Sequence, residues 1–136
     1  MSNSGVERVF SPEWMKSWAD KVNKDRVLRV VGRFFTAKIL VSAEDADASY
    51  LLVVRNGQIE KIANPADANM FGWQFALRAP RTTWANFAQE VPPQLFNDIL
   101  AMVHGSKGGM KLEGDTLAFF QNLRTIGWMF AIMRQA

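Results

Sequence analysis

The sequence contains no cysteine and a single histidine. Without cysteine there is no disulfide framework, no thiolate nucleophile and no cysteine-type zinc site. One histidine cannot build a metal site of familiar spacing, and nothing else in the chain implies a cofactor. His104 stands at an expected helix end, where it complements the helix dipole, rather than in a nucleophile–base–orienter pattern. Long apolar runs are missing too. None approaches the roughly 18 residues that span a bilayer, and the C-terminal IGWMFAIMR is too short. The opening MSNSGVERVF lacks the positive start and apolar run of a secretory signal. The expectation is a soluble, cytoplasmic protein. Finally, no one charge sign dominates: 16 Lys/Arg stand against 13 Asp/Glu, a net charge of +3. The signs are interspersed, as in Lys24-Asp25-Arg26, which reads as a solvated mixed surface and not as a nucleic-acid-binding face.

What is present fits one domain. A chain of 136 residues can bury about two-thirds of its unfolded surface, enough for a core without staples. Residues 1–10 read as a flexible tail and 11–136 as a single domain. Ser11-Pro12 starts a helix in which Trp14, Met15, Trp18 and Val22 recur at helical spacing. Asn23-Lys24-Asp25 breaks it, and 26–32 fits either a second helical turn or a strand. Phe35, Ala37, Ile39 and Val41 then alternate along a strand. Residues 50–55 are apolar on both faces, and Asn56-Gly57 predicts a two-residue hairpin to a third strand. Trp73, Phe75 and Leu77 alternate along a fourth. Two helices follow, the first with Trp84 and Phe87, the second with Leu95, Phe96, Ile99, Leu100 and Val103. A glycine-rich loop leads to a short strand at 110–113. Asp115 then caps a last helical region with Leu117, Phe120, Leu123, Gly127, Phe130 and Met133 on one face, where Gly127 is a place to bend or split. The pattern predicts an α+β fold, a five-stranded, mostly antiparallel sheet with helices over one face.

Tests for chemistry find little. Glu113 and Asp115 lie across a strand-to-helix boundary, and Asp115 has a capping role that competes with general acid–base work. The glycines at 105–109 do not form a phosphate-binding loop, since no Ser or Thr follows Lys111. What stands out is apolar: five Trp, ten Phe and seven Met. Methionine and aromatic side chains adapt to irregular apolar shapes, and such residues line sites for apolar ligands as well as plain cores.

At GGMKLEGD, followed by an apolar helix, the sequence resembles the sterol carrier protein type 2 (sterol-binding domain) family in its stand-alone bacterial form. Gly109, Lys111, Gly114 and Asp115 stand where that family carries a glycine loop, a short strand and a Gly-Asp corner. FGWQFALRAPRTTWANFA and PPQLFNDILAMVHGS resemble the family's strand-helix and following helix. The resemblance implies an apolar tunnel between sheet and helices, closed by the last helix, and no catalytic residues. It implies a carrier of a hydrophobic ligand, fatty acyl, sterol-like or related. Candidate lining residues are Trp73, Phe75, Trp84, Phe87, Phe96, Leu100, Val103, Leu117, Phe120, Trp128 and Met129. A ligand head group would meet Arg78, Arg81 or Lys107. Transient contact with a membrane surface and with a partner enzyme are compatible with this role; the oligomeric state is open. Two other readings stay open: an accessory module that docks an enzyme through its aromatic surface, and a small cone-shaped enzyme of the nuclear-transport-factor-like type. The sequence does not separate inward from outward aromatics at Trp14, Trp18 and Trp128.

Overall fold

A computed structural model describes residues 8–44, 48–63, 72–89, 92, 99–104 and 109–136; of Ala101 and His104 it describes the backbone alone. Helix α1 (Pro12–Lys24) begins where expected. The Ser11 hydroxyl accepts from the Trp14 N–H at 3.2 Å, and Pro12 takes the first turn. Its buried face carries Trp14, Met15, Trp18, Ala19 and Val22. Val9 and Phe10, just before it, are also buried, so the expected loose tail does not extend over these two residues. The Phe10 ring packs against Trp14, Tyr50 and Trp84, which holds this segment on the core.

The undecided stretch after Asn23 is a helix, α2 (Arg26–Val31). Asp25 decides it. Its backbone N–H closes α1 on the Val22 carbonyl, and its carboxylate accepts from the Leu28 N–H at 3.0 Å to start the next helix. Gly32 ends α2 against the β-hairpin turn. A Cβ there would lie 2.8 Å from the Leu28 oxygen and 3.1 Å from the Gly57 Cα.

Strands β1 (Ala37–Ala43), β2 (Ala48–Arg55) and β3 (Gln58–Ala63) form an antiparallel meander. Asn56 and Gly57 both have positive φ, 53° and 77°, as the hairpin signal predicts. Strand β4 (Phe75–Ala79) runs parallel to β1, and β5 (Lys111–Gly114) runs antiparallel to β4. The order is β3-β2-β1-β4-β5, a five-stranded mixed sheet with three antiparallel pairings and one parallel. The outer edge of β3 is occupied by the Asn23 amide, which donates to the Ile59 carbonyl at 2.9 Å and accepts from its N–H at 2.7 Å. A side chain thus supplies the ladder bonds that an edge strand otherwise leaves open.

Helices α3 (Arg81–Phe87) and α4 (Ile99–His104) precede β5; α5 (Thr116–Gln121), α6 (Leu123–Ala131) and a 3₁₀ turn (Ile132–Gln135) follow it. The Gly114-Asp115 corner has the expected form. Gly114 has φ +89°, and a Cβ there would sit 2.6 Å from the Gln74 oxygen. The Asp115 N–H donates to that same oxygen at 2.7 Å, and its carboxylate caps α5 on the Ala118 N–H at 3.0 Å. The last helical region divides at Asn122, not at Gly127. The Asn122 amide donates to the Ala118 carbonyl at 2.9 Å, a local bond that competes with helix continuation. This break shifts the phase, so α5 buries Phe119 while Leu117 and Phe120 face out.

Candidate functional site

One apolar interior lies between the sheet and the helices. Ile39, Val41, Leu52, Phe75 and Leu77 face it from the strands, and Trp18, Trp84, Phe119, Met129 and Phe130 from the helices. It is ordered by hydrogen bonds as well as by packing. Trp84 Nε1 donates to the Ser42 carbonyl at 2.9 Å, and Trp18 Nε1 to the Met129 carbonyl at 3.0 Å. The indoles of Trp84 and Trp18 therefore each have a partner, and no fully buried side-chain N or O among the described residues lacks one. The rings meet one another: Trp18 with Phe130 at 5.3 Å between centroids, Phe75 with Phe119 at 5.7 Å. Met15, Met102, Met110 and Met133 fill the spaces between them.

The expected lining residues do not come together in one place. Phe75, Trp84, Phe87 and Met129 are fully buried in this interior, with Val103 half-buried at its margin; Leu100 is half-buried without being part of it. Trp73 lies on the opposite face of the sheet, against Leu51, Val53 and Ala63. The alternation starts only at Phe75, because Gln74 forms a bend whose N–H donates to the Lys38 carbonyl. Leu117, Phe120 and Trp128 are exposed by 64%, 43% and 46%, so three expected wall residues face outward. Trp14 and Trp18 face inward. Phe96 and the glycine loop at 105–108, with Lys107, lie outside the described residues. Arg78 is engaged with Glu113 at 2.6 Å, and Arg81 donates to the Val9 carbonyl at 3.0 Å.

A groove of about 580 Å³ lies between α1 and the β2–β3 side of the sheet. Its floor is Met15, Ala19, Tyr50, Ile59 and Ile62; Lys16, Asp20, Glu60 and Lys61 stand at its rim. The volume falls within the usual range for small-molecule sites, roughly 300–1,000 Å³. Sequence spacing could have supplied the α1 half, since Met15 and Ala19 are one helical turn apart, but nothing local marks β3 as the strand opposite. Tyr50 brings a hydroxyl to the floor. Its hydroxyl donates to the Phe10 carbonyl at 2.7 Å. Burial pushes its pKa above 10.0; Arg81 opposes this and Glu13 adds to it. A second groove, about 500 Å³, lies on the other face between Val53, Arg55, Lys38 and Trp73.

Reactive groupings are sparse. Among the described residues no three His, Cys, Asp or Glu side chains gather to hold a metal ion. Five of the described carboxylates act structurally: Asp25 and Asp115 cap helices, while Glu60, Glu113 and Glu44 pair with Arg55, Arg78 and Lys111.

No protein-family model matches the chain, and no curated protein sequence matches it significantly. Solved structures do. One is a crystal structure of sterol carrier protein 2, with a TM-score of 0.69 and 13% identity over 94% of this chain and 98% of that one. Another is a conserved hypothetical protein from Thermus thermophilus, suggested to be a sterol carrier protein, with a TM-score of 0.64 and 14% identity over 93% and 87% of the two chains. A third is the ubiquinone synthesis protein UbiJ, a sterol carrier protein 2 type structure, with a TM-score of 0.56 and 11% identity over 87% and 90%. Identities this low speak to architecture, and all three point to one: the chain has the sterol carrier protein 2 fold.

Proposed function

We propose that the protein is a non-enzymatic carrier of a hydrophobic, lipid-like ligand, a fatty acyl, sterol-like or related compound, acting in the cytoplasm. The observation that carries this reading is the likeness to sterol carrier structures along nearly the whole chain. It is supported by a groove of suitable size beneath α1 with an apolar floor, and by the capping and ion-pairing uses of five described carboxylates. In this reading the ligand's apolar part lies over Met15, Ala19, Ile59 and Ile62, and the Tyr50 hydroxyl and rim charges meet its polar end. Binding energy comes from burial, at roughly 25 cal/mol per Å² of apolar surface, less the cost of ordering the ligand.

A second seat is favoured by the methionines that surround the sheet–helix interior. There Phe75, Trp84, Phe87, Leu100, Val103 and Met129 form the wall, and flexible methionines make room for the ligand. Moving a hydrogen-bonded indole out of a packed core costs more than filling an existing groove, which ranks the groove first. The exposed Leu117, Phe120 and Trp128 suit an accessory, enzyme-docking role better than a lining role.

Native mass spectrometry of protein purified from cells, with organic extraction of what it releases, tests the carrier reading. A stoichiometric acyl or sterol-like compound is expected. An empty protein that also takes up no fluorescent fatty acid overturns it. Ile62→Trp, at a half-buried groove position, then separates the seats: uptake falls at least about tenfold if the groove holds the ligand. Unchanged uptake moves the ligand to the interior.

A further inference from the structure

The sheet face that carries Trp73, opposite the helix-covered interior, holds the second groove, which the carrier reading does not use. Its volume of about 500 Å³ is within the range of small-molecule sites, and it shares no residue with the groove beneath α1. It opens where strands start unevenly. Strand β1 pairs with β2 from Ala37 and Val54 onward, but β4 joins β1 only at Ile39 and Phe75. In the gap the Gln74 side chain takes over the ladder. Its Oε1 accepts from the Lys38 N–H at 3.0 Å, while the Gln74 N–H donates to the Lys38 carbonyl at 2.9 Å. The chain before Gln74 therefore leaves the strand path. Gly72, at φ +70°, has open space where a Cβ would point.

The groove is apolar at its centre and cationic at its edge. Val53 and the half-buried Trp73 supply apolar surface, Lys38 and Arg55 supply charge, and no described Asp or Glu lines it. The indole is held in place. A Cβ on Gly114 would lie 2.6 Å from the Trp73 ring, and the Arg78 guanidinium stands 6.0 Å from its centroid. A wall fixed in advance lowers the ordering cost of binding. The Arg55 side chain is 70% exposed, and its Nε pairs with Glu60 at 3.2 Å. An ion pair so exposed is weak and exchanges readily for another carboxylate.

We propose that this groove binds a flat aromatic carboxylate. A planar ring stacks against the indole and covers Val53. The carboxylate meets the Arg55 guanidinium, whose fork matches it in two parallel hydrogen bonds, and Lys38 adds positive charge. The apolar surface is short and centred on one indole, which suits a ring and not a long chain. A phosphate would call for converging backbone N–H groups. The N–H groups of Lys38 and of Asn56, next to Arg55, are already taken by the Gln74 and Thr36 side chains.

Isothermal titration of the full chain with 2-naphthoate tests this, with neutral 2-naphthylmethanol alongside. Saturable one-to-one binding of the carboxylate is expected, at least about fivefold tighter than the alcohol and weakened by salt. Arg55→Gln with Lys38→Gln lowers its affinity at least about tenfold, with the fold checked by circular dichroism. Trp73→Leu lowers it too; the charge variants keep the test open where that change disturbs the Gly114 corner. Ile62→Trp, in the groove beneath α1, leaves it unchanged. No saturable binding overturns the proposal, as does equal affinity for the alcohol or binding that survives the charge variants. Loss of binding in Ile62→Trp also overturns it and moves the probe beneath α1. Lipid uptake plays no part in the readout, so failure here leaves the carrier reading standing.

Discussion

Tyr50 is the single tyrosine of the chain, so any phenolate signal belongs to it. Its ring stands on the groove floor with its hydroxyl bonded to the Phe10 carbonyl, and burial raises its pKa above 10.0. A raised acid constant means that the folded state holds its proton longer than the unfolded chain does. The stability from this group is therefore complete below pH 10.0 and is lost as pH climbs from there through the folded value. We expect the phenolate absorbance of the native protein to appear at higher pH than in urea, and urea midpoints to fall above pH 10.0. In Tyr50→Phe that part of the alkaline loss disappears; coincident titrations in water and urea would contradict the assignment. Some residues could be read from sequence by rule. Asn56-Gly57 and Asp115 needed only a turn type and a cap, both of which are local. Tyr50 could not, because its partner is a carbonyl forty residues away in the chain.

Helices α1, α2 and α6 share Asp25. Its N–H ends the first, its carboxylate begins the second, and the same oxygen accepts from the Trp128 indole on the third. Asp25→Ala should cost about 1–2 kcal/mol, most of it from the lost cap, seen as a lower urea midpoint with unchanged slope. Asp25→Asn keeps an accepting oxygen and should recover most of the loss. This double use explains why 26–32 was not decidable from periodicity: Arg-Val-Leu-Arg-Val-Val fits a strand by propensity, and a side-chain cap outweighs it. The same holds at the other end of the chain. The apolar spacing places Leu117 and Phe120 on the face that continues to Phe130, yet the Asn122 bond to Ala118 rotates α5 and brings Phe119 inward. A half-turn break in a helix changes which aromatic is core, and hydrophobic spacing alone does not register it.

For the molecule as a whole, α+β class, five strands and late helices were legible in the sequence, because alternation and helical spacing are local signals. The parallel pairing of β1 with β4 was not, nor was the groove between α1 and β3, since both join segments far apart in the chain. Gly114 links those levels. Its positive φ and its approach to the Gln74 backbone set where α5 and α6 leave the sheet. Gly114→Ala should cost at least about 2 kcal/mol, since both the backbone conformation and the Cβ position are unfavourable. Urea unfolding checks this, and a loss under about 0.5 kcal/mol would mean that the corner relaxes freely. The parallel pairing has one more consequence, for a chain emerging from the ribosome. The β1–β2–β3 meander can form from 37–63 alone, but β1 then keeps an open hydrogen-bonding edge until β4 has been made. The apolar face above it waits longer still, because the Met129 carbonyl that receives Trp18 and the Arg134 guanidinium that reaches the Phe87 carbonyl come some fifty residues after β4 in the chain. A nascent chain of this protein is therefore most prone to aggregation after the meander has formed and before β4 and α6 have joined it, and that interval would be the costliest place to pause.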